Sequence, residues 1–305
     1  MCLIIGHMQK VFLYLLTTMK TLNYLLFSAC LLFFSGCGTE DPSNPGTDNT
    51  QTEIAIPTTG YTSPESYDGM TLVWEDDFDG NSLDPANWSH ESGTGQNGWG
   101  NNELQYYRSQ NTSFQDGHLI ITAKEESFNG SDYTSSRIIS MGKQQFRYGR
   151  IDFRAVMPRG QGLWPALWML GSNFETEGWP ACGEIDIMEM IGGSGRENTV
   201  HGTVHWSNDG SYAQFGGEKS LSNGTLADQF HVFSIEWDAT KIRWFIDNEV
   251  YHEIDITPAQ LDEFRRSFFF IMNVAVGGNW PGSPNANTTF PQHMIVDYVR
   301  VFQAQ

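Results

Sequence analysis

The stretch YGRIDFRAVMP at residues 148–158 shows the pattern that decides the fold. Its apolar residues Ile151, Phe153 and Ala155 alternate with charged side chains. Alternation of this kind is the period of a β-strand that has one buried face and one polar face. The stretch therefore predicts a strand that packs one face against a core.

Nine further runs of this kind are separated by glycine, asparagine, aspartate and proline, which favours an all-β fold. They are TLVWEDDF (71–78), HLIITAKE (118–125), PALWMLG (165–171), EIDIMEMI (184–191), TVHGTVHW (199–206), HVFSIEWD (231–238), IRWFIDNEVYHEI (242–254), SFFFIMNVAV (267–276) and MIVDYVRVFQ (294–303). One helix is predicted, capped by Thr257 with Pro258 at its first position and running through 259–266. We expect a two-sheet antiparallel β-sandwich of jelly-roll (concanavalin A-like) type with a concave groove.

Charge and composition narrow the classes of function. The 305 residues carry 36 acids against 17 Lys and Arg, a formal net charge of −19, and contain no basic run. Proteins that bind nucleic acid need basic side chains to displace counterions from phosphates, so we exclude a nucleic-acid partner. Aromatic residues make up 13% of the chain, with ten Trp, which favours a groove lined by rings that bind sugar.

The N-terminal region has the features of an export signal. Residues 19–37 read MKTLNYLLFSACLLFFSGC, a basic start and an apolar run that ends in small residues. The ending resembles the bacterial lipoprotein lipobox, which implies acylation of Cys37; ordinary secretion is the alternative. Residues 1–37 are thus expected to form an export signal that ends at Cys37. This cysteine is acylated and becomes the new N-terminus of a membrane-anchored lipoprotein at the periplasmic or cell surface.

The rest of the chain divides by composition. Residues 38–67 are polar and rich in Pro, Thr and Ser, which predicts a flexible linker, and residues 68–305 are expected to form one domain. The cysteines lie at positions 2, 30, 37 and 182, so a disulfide framework is not expected. Cys182 is interpreted as a buried structural residue, with a reactive thiol as the alternative.

Three acids on one predicted strand form the candidate catalytic site. In GEIDIMEM at 183–190, Glu184 and Asp186 share a face because they lie two residues apart. Glu189 is out of phase and would point into the core on a regular strand, where an unpaired carboxylate is costly. We therefore predict a β-bulge near Met188 that returns Glu189 to the acidic face.

Two glutamates on one face can perform retaining glycoside hydrolysis if their carboxyl groups lie roughly 5 to 5.5 Å apart. Glu184 would act as the nucleophile and Glu189 as the general acid/base. Asp186, placed between them, would crowd the carboxylates so that the cluster keeps one proton. Two alternatives remain on the pattern alone: a solvated acidic face without chemistry, and a calcium-ligating cluster.

The segment 184–189 resembles the active-site signature of glycoside hydrolase family 16 in its bulge-containing form. The segments GWGNNELQYY (98–107), GLWPALWML (162–170), HGTVHW (201–206) and NVAVGGNWPG (273–282) also resemble bacterial laminarinases. The resemblance covers about residues 70–303. It implies a retaining endo-β-1,3-glucanase with Glu184, Asp186 and Glu189 as catalytic residues, no cofactor for catalysis, a β-glucan substrate and a monomeric state.

The resemblance also implies residues that bind substrate and metal. The candidates for sugar binding are Trp164, Trp168, His205, Trp280, Asn102 and Arg137. Core packing is the alternative for the two tryptophans of segment 162–170. The alternatives for the other residues are a structural histidine, a turn-forming asparagine and a solvated arginine. A structural calcium ion would be held by Glu75, Gly117 and Asp297, since oxygen ligands, here partly backbone carbonyls, suit that ion.

Three competing functions follow from the same pattern. Mixed-linkage β-1,3-1,4-glucan is the closest alternative substrate. Agarases and carrageenases share the bulged signature, but sulfated substrates call for basic residues that this chain has in small number. A surface glycan-binding lipoprotein without catalysis is the alternative from another class, because jelly rolls are common lectin scaffolds.

Overall fold

The computed structural model describes residues 53–305. The predicted export signal, the predicted lipid on Cys37 and the first part of the predicted linker, 38–52, lie outside the described residues. Within residues 53–305, no helix combines the length and apolar character needed to cross a membrane.

The described part of the chain consists mainly of β-strands. They are β1 (Met70–Asp76), β2 (Ser89–Glu91), β3 (Gln105–Tyr107), β4 (Thr112–Gln115), β5 (His118–Phe128), β6 (Ser131–Ser135), β7 (Arg137–Ile139), β8 (Gly149–Val156), β9 (Leu163–Gly171), β10 (Glu184–Glu189), β11 (Thr199–Asn208), β12 (Ser211–Ser220), β13 (His231–Trp237), β14 (Lys241–Ile246), β15 (Glu249–Asp255), β16 (Phe268–Val276) and β17 (Gln292–Ala304). The helical elements are α1 (Phe174–Glu177), two 3₁₀ segments (Ser109–Asn111 and Ala259–Arg265) and an irregular helical turn (Gly98–Asn102).

The strands form two sheets. The larger sheet has the order β15-β14-β13-β8-β17-β5-β6-β3, with β1 beside β17 and β4 beside β5. The smaller, seven-stranded sheet has the order β12-β11-β10-β9-β16-β7-β2 and is called the acidic sheet here because it contains Glu184–Glu189. Its ladders are antiparallel, as predicted, and the β3–β6 pair of the larger sheet is parallel.

The two sheets bury a common core between them. Phe153 on β8 and Trp244 on β14 come from the larger sheet, and Ile185 on β10 and Met272 on β16 come from the acidic sheet. All four side chains are fully buried in one cluster. The core therefore fixes which face of each strand is left for the site, and the predicted two-sheet sandwich is confirmed.

Two local predictions need correction. The run 242–254 is a hairpin rather than one strand, because Asp247 and Asn248 adopt φ angles of 50° and 66° and reverse the chain between β14 and β15. The predicted helix after Pro258 is a 3₁₀ segment, Ala259–Arg265, with a kink at Leu261. Thr257 does not cap it, because its hydroxyl and its N–H both bond to Asp255.

Residues 53–67, the second half of the predicted flexible linker, are packed against the sandwich and are called the N-terminal strap. Ile54 and Ile56 pack on a cluster that contains Phe230. Ser63 Oγ lies 2.7 Å from the hydroxyl of Tyr298, and the Tyr67 hydroxyl donates to Asp152 Oδ2 over 2.7 Å. Composition alone predicted a linker here, but scattered apolar and hydroxyl side chains are enough to hold the segment to the sheet.

Candidate active site

A β-bulge in β10 shapes the site, as predicted. Along β9, Asp186 pairs with Trp168 and Met188 pairs with Leu167, so Ile187 has no partner of its own. Along β11, Asp186 pairs with Thr203 and Glu189 with His201. Gly202 alone therefore faces two residues of β10, which is the definition of a bulge.

The bulge places all three acids on one face of the acidic sheet. Residues that pair directly across antiparallel strands point to the same side. Asp186 pairs with Trp168 and Glu189 pairs with Ala166, two residues away on β9 and hence on the same face. Ile187 and Met188 are both fully buried in the core, so the extra residue of the bulged strand packs on the core face.

A core residue of the larger sheet stabilises the bulge. The indole N–H of Trp244 on β14 donates to the carbonyl of Asp186 over 2.8 Å. A Cβ added to Gly202 would lie 2.4 Å from Cδ1 of the same ring and 2.7 Å from the hydroxyl of Tyr251. Only glycine therefore lets β11 approach this ring while Trp244 holds the bulged backbone.

Asp186 lies between the nucleophile candidate and a histidine. Asp186 is only 2% exposed, and one of its carboxylate oxygens lies within 4.8 Å of one of Glu184. Nε2 of His205 lies 3.0 Å from Asp186 Oδ2 and 3.7 Å from Glu184 Oε1. The half-exposed indole of Trp179 lies beside His205, with ring centroids 6.5 Å apart, and lowers the pKa of Glu184.

Burial is the main cause of the perturbed acidity of the three carboxyls. It raises the pKa of Glu184, Asp186 and Glu189 each to about 8. The charge of Asp186 raises the pKa of both glutamates further, whereas His205 lowers both. The indole of Trp179 lowers the pKa of Glu184, and the indole of Trp164 lowers that of Glu189. The cluster therefore keeps a proton at neutral pH, as a general acid requires.

Trp164 and Trp280 lie beside Glu189. The Trp164 indole N–H donates to Glu189 Oε1 over 2.9 Å, and its ring meets that of Trp280 edge to face at 5.4 Å. Trp280 is 40% exposed and also contacts His201, with ring centroids 5.0 Å apart. The interpretation of Trp164 as core packing does not fit this position, because the side chain lies on the acid face.

Trp168 and Arg137 form a second group on the same sheet. The Trp168 indole N–H donates to Asn273 Oδ1 over 2.7 Å. The Arg137 guanidinium stacks on Trp168 at 4.8 Å and on Trp99 at 4.5 Å and pairs with Glu91. Arg137 is 9% exposed, so it is not a solvated arginine.

Asn102 lies in the irregular turn Gly98–Asn102. Its φ is 56°, in the left-handed region, and its side-chain amide donates to Asn279 Oδ1 over 2.9 Å. The next residue, Glu103, accepts hydrogen bonds from Asn101 and Gln105. Asn102 thus links two loops at the edge of the acidic sheet, and a role in sugar binding stays a prediction.

Sequence reasoning missed several residues of the site. Trp179 and Tyr212 flank His205, and Tyr212 forms a hydrogen bond with its Nδ1. Trp179 belongs to a loop and Tyr212 to the edge strand β12, where alternation gives no signal. The only available signal was the position of Trp179, five residues before Glu184. Asn273 lies inside the segment NVAVGGNWPG, but the sequence pattern predicted no function for it.

Cys182 precedes this site and is fully buried. Burial raises the pKa of its thiol to about 11, so the thiol stays protonated at neutral pH. A protonated, buried thiol is a poor nucleophile, which supports the structural interpretation.

The residues predicted to bind calcium do not form a shared cluster of free carboxylates. Glu75 Oε2 pairs with Arg300 Nε at 3.2 Å, and Asp297 pairs with Arg154. Nε2 of His118, the residue after Gly117, lies 3.6 Å from Asp297. An arginine thus pairs with each of these two carboxylates, and the calcium site stays a prediction.

Comparison with known proteins gives consistent relatives. The family model described as Glycosyl hydrolases family 16 matches residues 100–300. The chain is 43% identical over 249 residues to a beta-glucanase of Rhodothermus marinus, covering 76% of this chain and 85% of that protein. It is 42% identical over 236 residues to the clotting factor G alpha subunit of Tachypleus tridentatus, covering 76% of this chain and 34% of that protein.

Solved structures agree with this result. The laminarinase catalytic domain of Thermotoga maritima is 43% identical, with a TM-score of 0.71. The match covers 77% of this chain and 99% of that domain. The family model alone spans well over half of the chain. The chain therefore belongs to glycosyl hydrolases family 16.

Proposed function

We propose that this protein is a retaining endo-glycosidase that hydrolyses β-1,3-glucosidic bonds in a laminarin-type glucan. The observation that carries the proposal is the bulge in β10, which sets Glu184, Asp186 and Glu189 on one face with their pKa values raised. The relatives named beta-glucanase and laminarinase support the substrate class.

In the first step, the ionised carboxylate of Glu184 attacks the anomeric carbon and forms a covalent glycosyl ester. Glu189 gives its proton to the leaving glycosidic oxygen as that bond breaks. Asp186, one of whose carboxylate oxygens lies within 4.8 Å of one of Glu184, positions the nucleophile. The buried cluster keeps the proton that this step requires.

In the second step, Glu189 is ionised and acts as a base. It removes a proton from a water molecule that attacks the anomeric carbon from the face that the leaving group vacated. The ester bond to Glu184 breaks, and its electrons return to the carboxylate. Two inversions at the same carbon give a product with retained β configuration.

The indole rings around the acids suit a glucan chain. Trp164 and Trp280 are neighbours of Glu189, and Trp179 is a neighbour of Glu184, so rings lie on both sides of the reacting centre. The apolar face of glucose packs well on such rings. Charged sulfate groups would meet a surface dominated by carboxylates, which disfavours sulfated polysaccharides.

The proposal is tested by the products of three polysaccharides. Purified protein is incubated side by side with laminarin, lichenan and agarose, and new reducing ends are followed by proton NMR. We expect the fastest release from laminarin, with the β-anomer of each new reducing end appearing before mutarotation. Early α-anomer would contradict the retaining mechanism, and faster release from lichenan would favour the mixed-linkage alternative.

One alternative from another class has a specific observation in its favour. The clotting factor relative is named for a role other than glycoside hydrolysis, and the chain spans about a third of that protein's length. A glycan-binding protein would not need three coupled acids, however. Retention of laminarin on an affinity gel without any new reducing ends would favour the binding alternative.

The alkaline limit of activity should report the proton on Glu189. The hydrogen bond from Trp164 to Glu189 lowers the pKa of this carboxyl, which burial otherwise raises. We expect kcat/KM on laminarin to fall above about pH 8, where Glu189 loses its proton. Trp164→Phe removes the donor, raises the pKa of Glu189 and should move this limb upward by roughly one pH unit.

The matched control for this pH profile is Trp168→Phe. The Trp168 indole donates to the neutral amide of Asn273 rather than to an acid. Its loss should change the magnitude of kcat/KM and leave the position of the alkaline limb unchanged. Equal shifts in both variants, or a downward shift in Trp164→Phe, would show that the hydrogen bond to Glu189 does not set this limit.

The remaining sequence-based expectations stay proposals. We propose that Cys37 carries a lipid, that residues 1–37 act as an export signal, and that the protein acts as an anchored monomer at the periplasmic or cell surface. The motif at 34–37 supports the lipid, and the acidic charge of the chain supports a partner that is not a polyanion.

A further inference from the structure

We propose that Glu184, Asp186 and His205 form a binding site for Zn²⁺, and that Zn²⁺ bound there is a reversible inhibitor of the enzyme. One carboxylate oxygen of each acid and one ring nitrogen of the histidine lie within 4.8 Å of one another. A nitrogen and two carboxylate oxygens are a ligand set that zinc accepts, whereas calcium takes oxygen ligands.

The separations of these atoms fit a tetrahedral ion. Zinc lies about 2.0 to 2.2 Å from imidazole nitrogen and carboxylate oxygen, so two ligands of one tetrahedral ion are roughly 3.3 to 3.5 Å apart. Nε2 of His205 is 3.0 Å from Asp186 Oδ2 and 3.7 Å from Glu184 Oε1. The carboxylate oxygens of Asp186 and Glu184 that complete the set lie within 4.8 Å of each other. Small side-chain adjustments therefore suffice to bind the ion.

The hydrogen bonds of His205 turn a lone pair toward the two acids. Nδ1 of His205 lies 2.8 Å from the hydroxyl of Tyr212, and this hydroxyl donates its own hydrogen to Gln214 Oε1 over 2.6 Å. The hydroxyl must then accept a hydrogen from Nδ1. In the neutral ring, Nε2 consequently has no hydrogen and can act as a ligand.

A buried oxygen of Asp186 is a second observation that favours cation binding at this site. Its Oδ2 is buried, and no donor among residues 53–305 forms a hydrogen bond with it. In the neutral ring, the contact with Nε2 at 3.0 Å places a lone pair against a carboxylate oxygen. A proton or a metal ion between these atoms would relieve the repulsion, and the geometry above admits either one.

Zn²⁺ bound at this site inhibits the enzyme because one of its ligands is Glu184, the nucleophile. The Glu184 oxygen that binds the ion shares its electrons with zinc and cannot attack an anomeric carbon. The chain Gln214–Tyr212–His205 keeps the imidazole oriented toward the metal, as outer partners of metal-binding histidines generally do. The inhibition is reversible because no covalent bond of the protein changes.

Calorimetric titration of the purified full chain with ZnCl₂ tests the site directly. We expect His205→Gln and Asp186→Asn each to weaken Zn²⁺ binding at least about tenfold, and Tyr212→Phe to weaken it by roughly tenfold through the loss of orientation. The control is His201→Gln on the same strand, because His201 has a single carboxylate neighbour, Glu218 at 3.4 Å. This control should bind Zn²⁺ like the wild type.

Wild-type binding in both His205→Gln and Asp186→Asn would overturn the site, as would an equal loss in His201→Gln. Using two ligand variants keeps the test valid if one of them does not fold. A parallel assay of laminarin hydrolysis should give half-inhibition at the Zn²⁺ concentration that half-saturates the calorimetric site. If laminarin is not a substrate, the proposed function fails, while the calorimetry still decides the metal site.

Discussion

Replacing Glu184 by glutamine should lower the hydrolysis of laminarin by a factor on the order of 10⁴ or more, because the amide cannot form the covalent intermediate. Glu189→Gln should lower it by roughly 10²–10⁴, the usual contribution of a general acid. Both side chains keep their shape, so folding should be preserved. Initial rates of reducing-sugar release measure both losses.

An activated substrate separates the two roles. A β-laminaribioside with a dinitrophenyl leaving group needs no proton from the enzyme in the first step. Glu189→Gln should therefore release dinitrophenol in a burst and accumulate the glycosyl ester, and azide should then speed turnover. Glu184→Gln should give no burst. Glu177→Gln, at the end of α1, is the control and should behave as wild type. A burst in Glu184→Gln would disprove the role of Glu184 as nucleophile.

The second large effect concerns stability. Gly202→Ala should lower the free energy of unfolding by roughly 2–3 kcal/mol, because the new methyl group would lie 2.4 Å from Cδ1 of buried Trp244. The ring cannot yield easily, since its N–H holds the carbonyl of Asp186. Urea denaturation followed by tryptophan fluorescence measures the change.

The matched control is Gly80→Ala. A Cβ at Gly80 would meet its nearest neighbour at 3.5 Å, an ordinary contact, so we expect a change within about 0.5 kcal/mol. Equal stability of the Gly202 and Gly80 variants would mean that the bulge does not depend on the close approach of β11 to Trp244. Reduced activity in folded Gly202→Ala would further indicate that the same contact positions Asp186.

Alternation in the sequence predicted the long strands because each of them has one face in the core. It could not predict strands of three to five residues, such as β2, β3 and β7, since so few positions show no period. It also missed β12, whose sequence SYAQFGGEKS is polar and glycine-rich because the strand lies at the edge of its sheet. An edge strand can remain largely exposed, so its sequence shows little alternation of apolar and polar residues.

The acids were predictable for a different reason. A carboxylate at position 189 conflicts with the alternation of its own strand, and that conflict identified the bulge. No comparable conflict marks Tyr212 or Gln214, whose effect on His205 depends on pairing between β11 and β12. Contacts between residues of neighbouring strands depend on register, which one sequence does not specify.

The N-terminal strap has a practical consequence for protein fusion. Joining a reporter or a carbohydrate-binding module at residue 68, where the composition changes, would detach the Tyr67 hydroxyl from Asp152, a carboxylate that is fully buried. A buried acceptor that loses a donor costs about 1–3 kcal/mol. Junctions placed ahead of residue 53 keep this bond and are the sounder choice for hybrid enzymes.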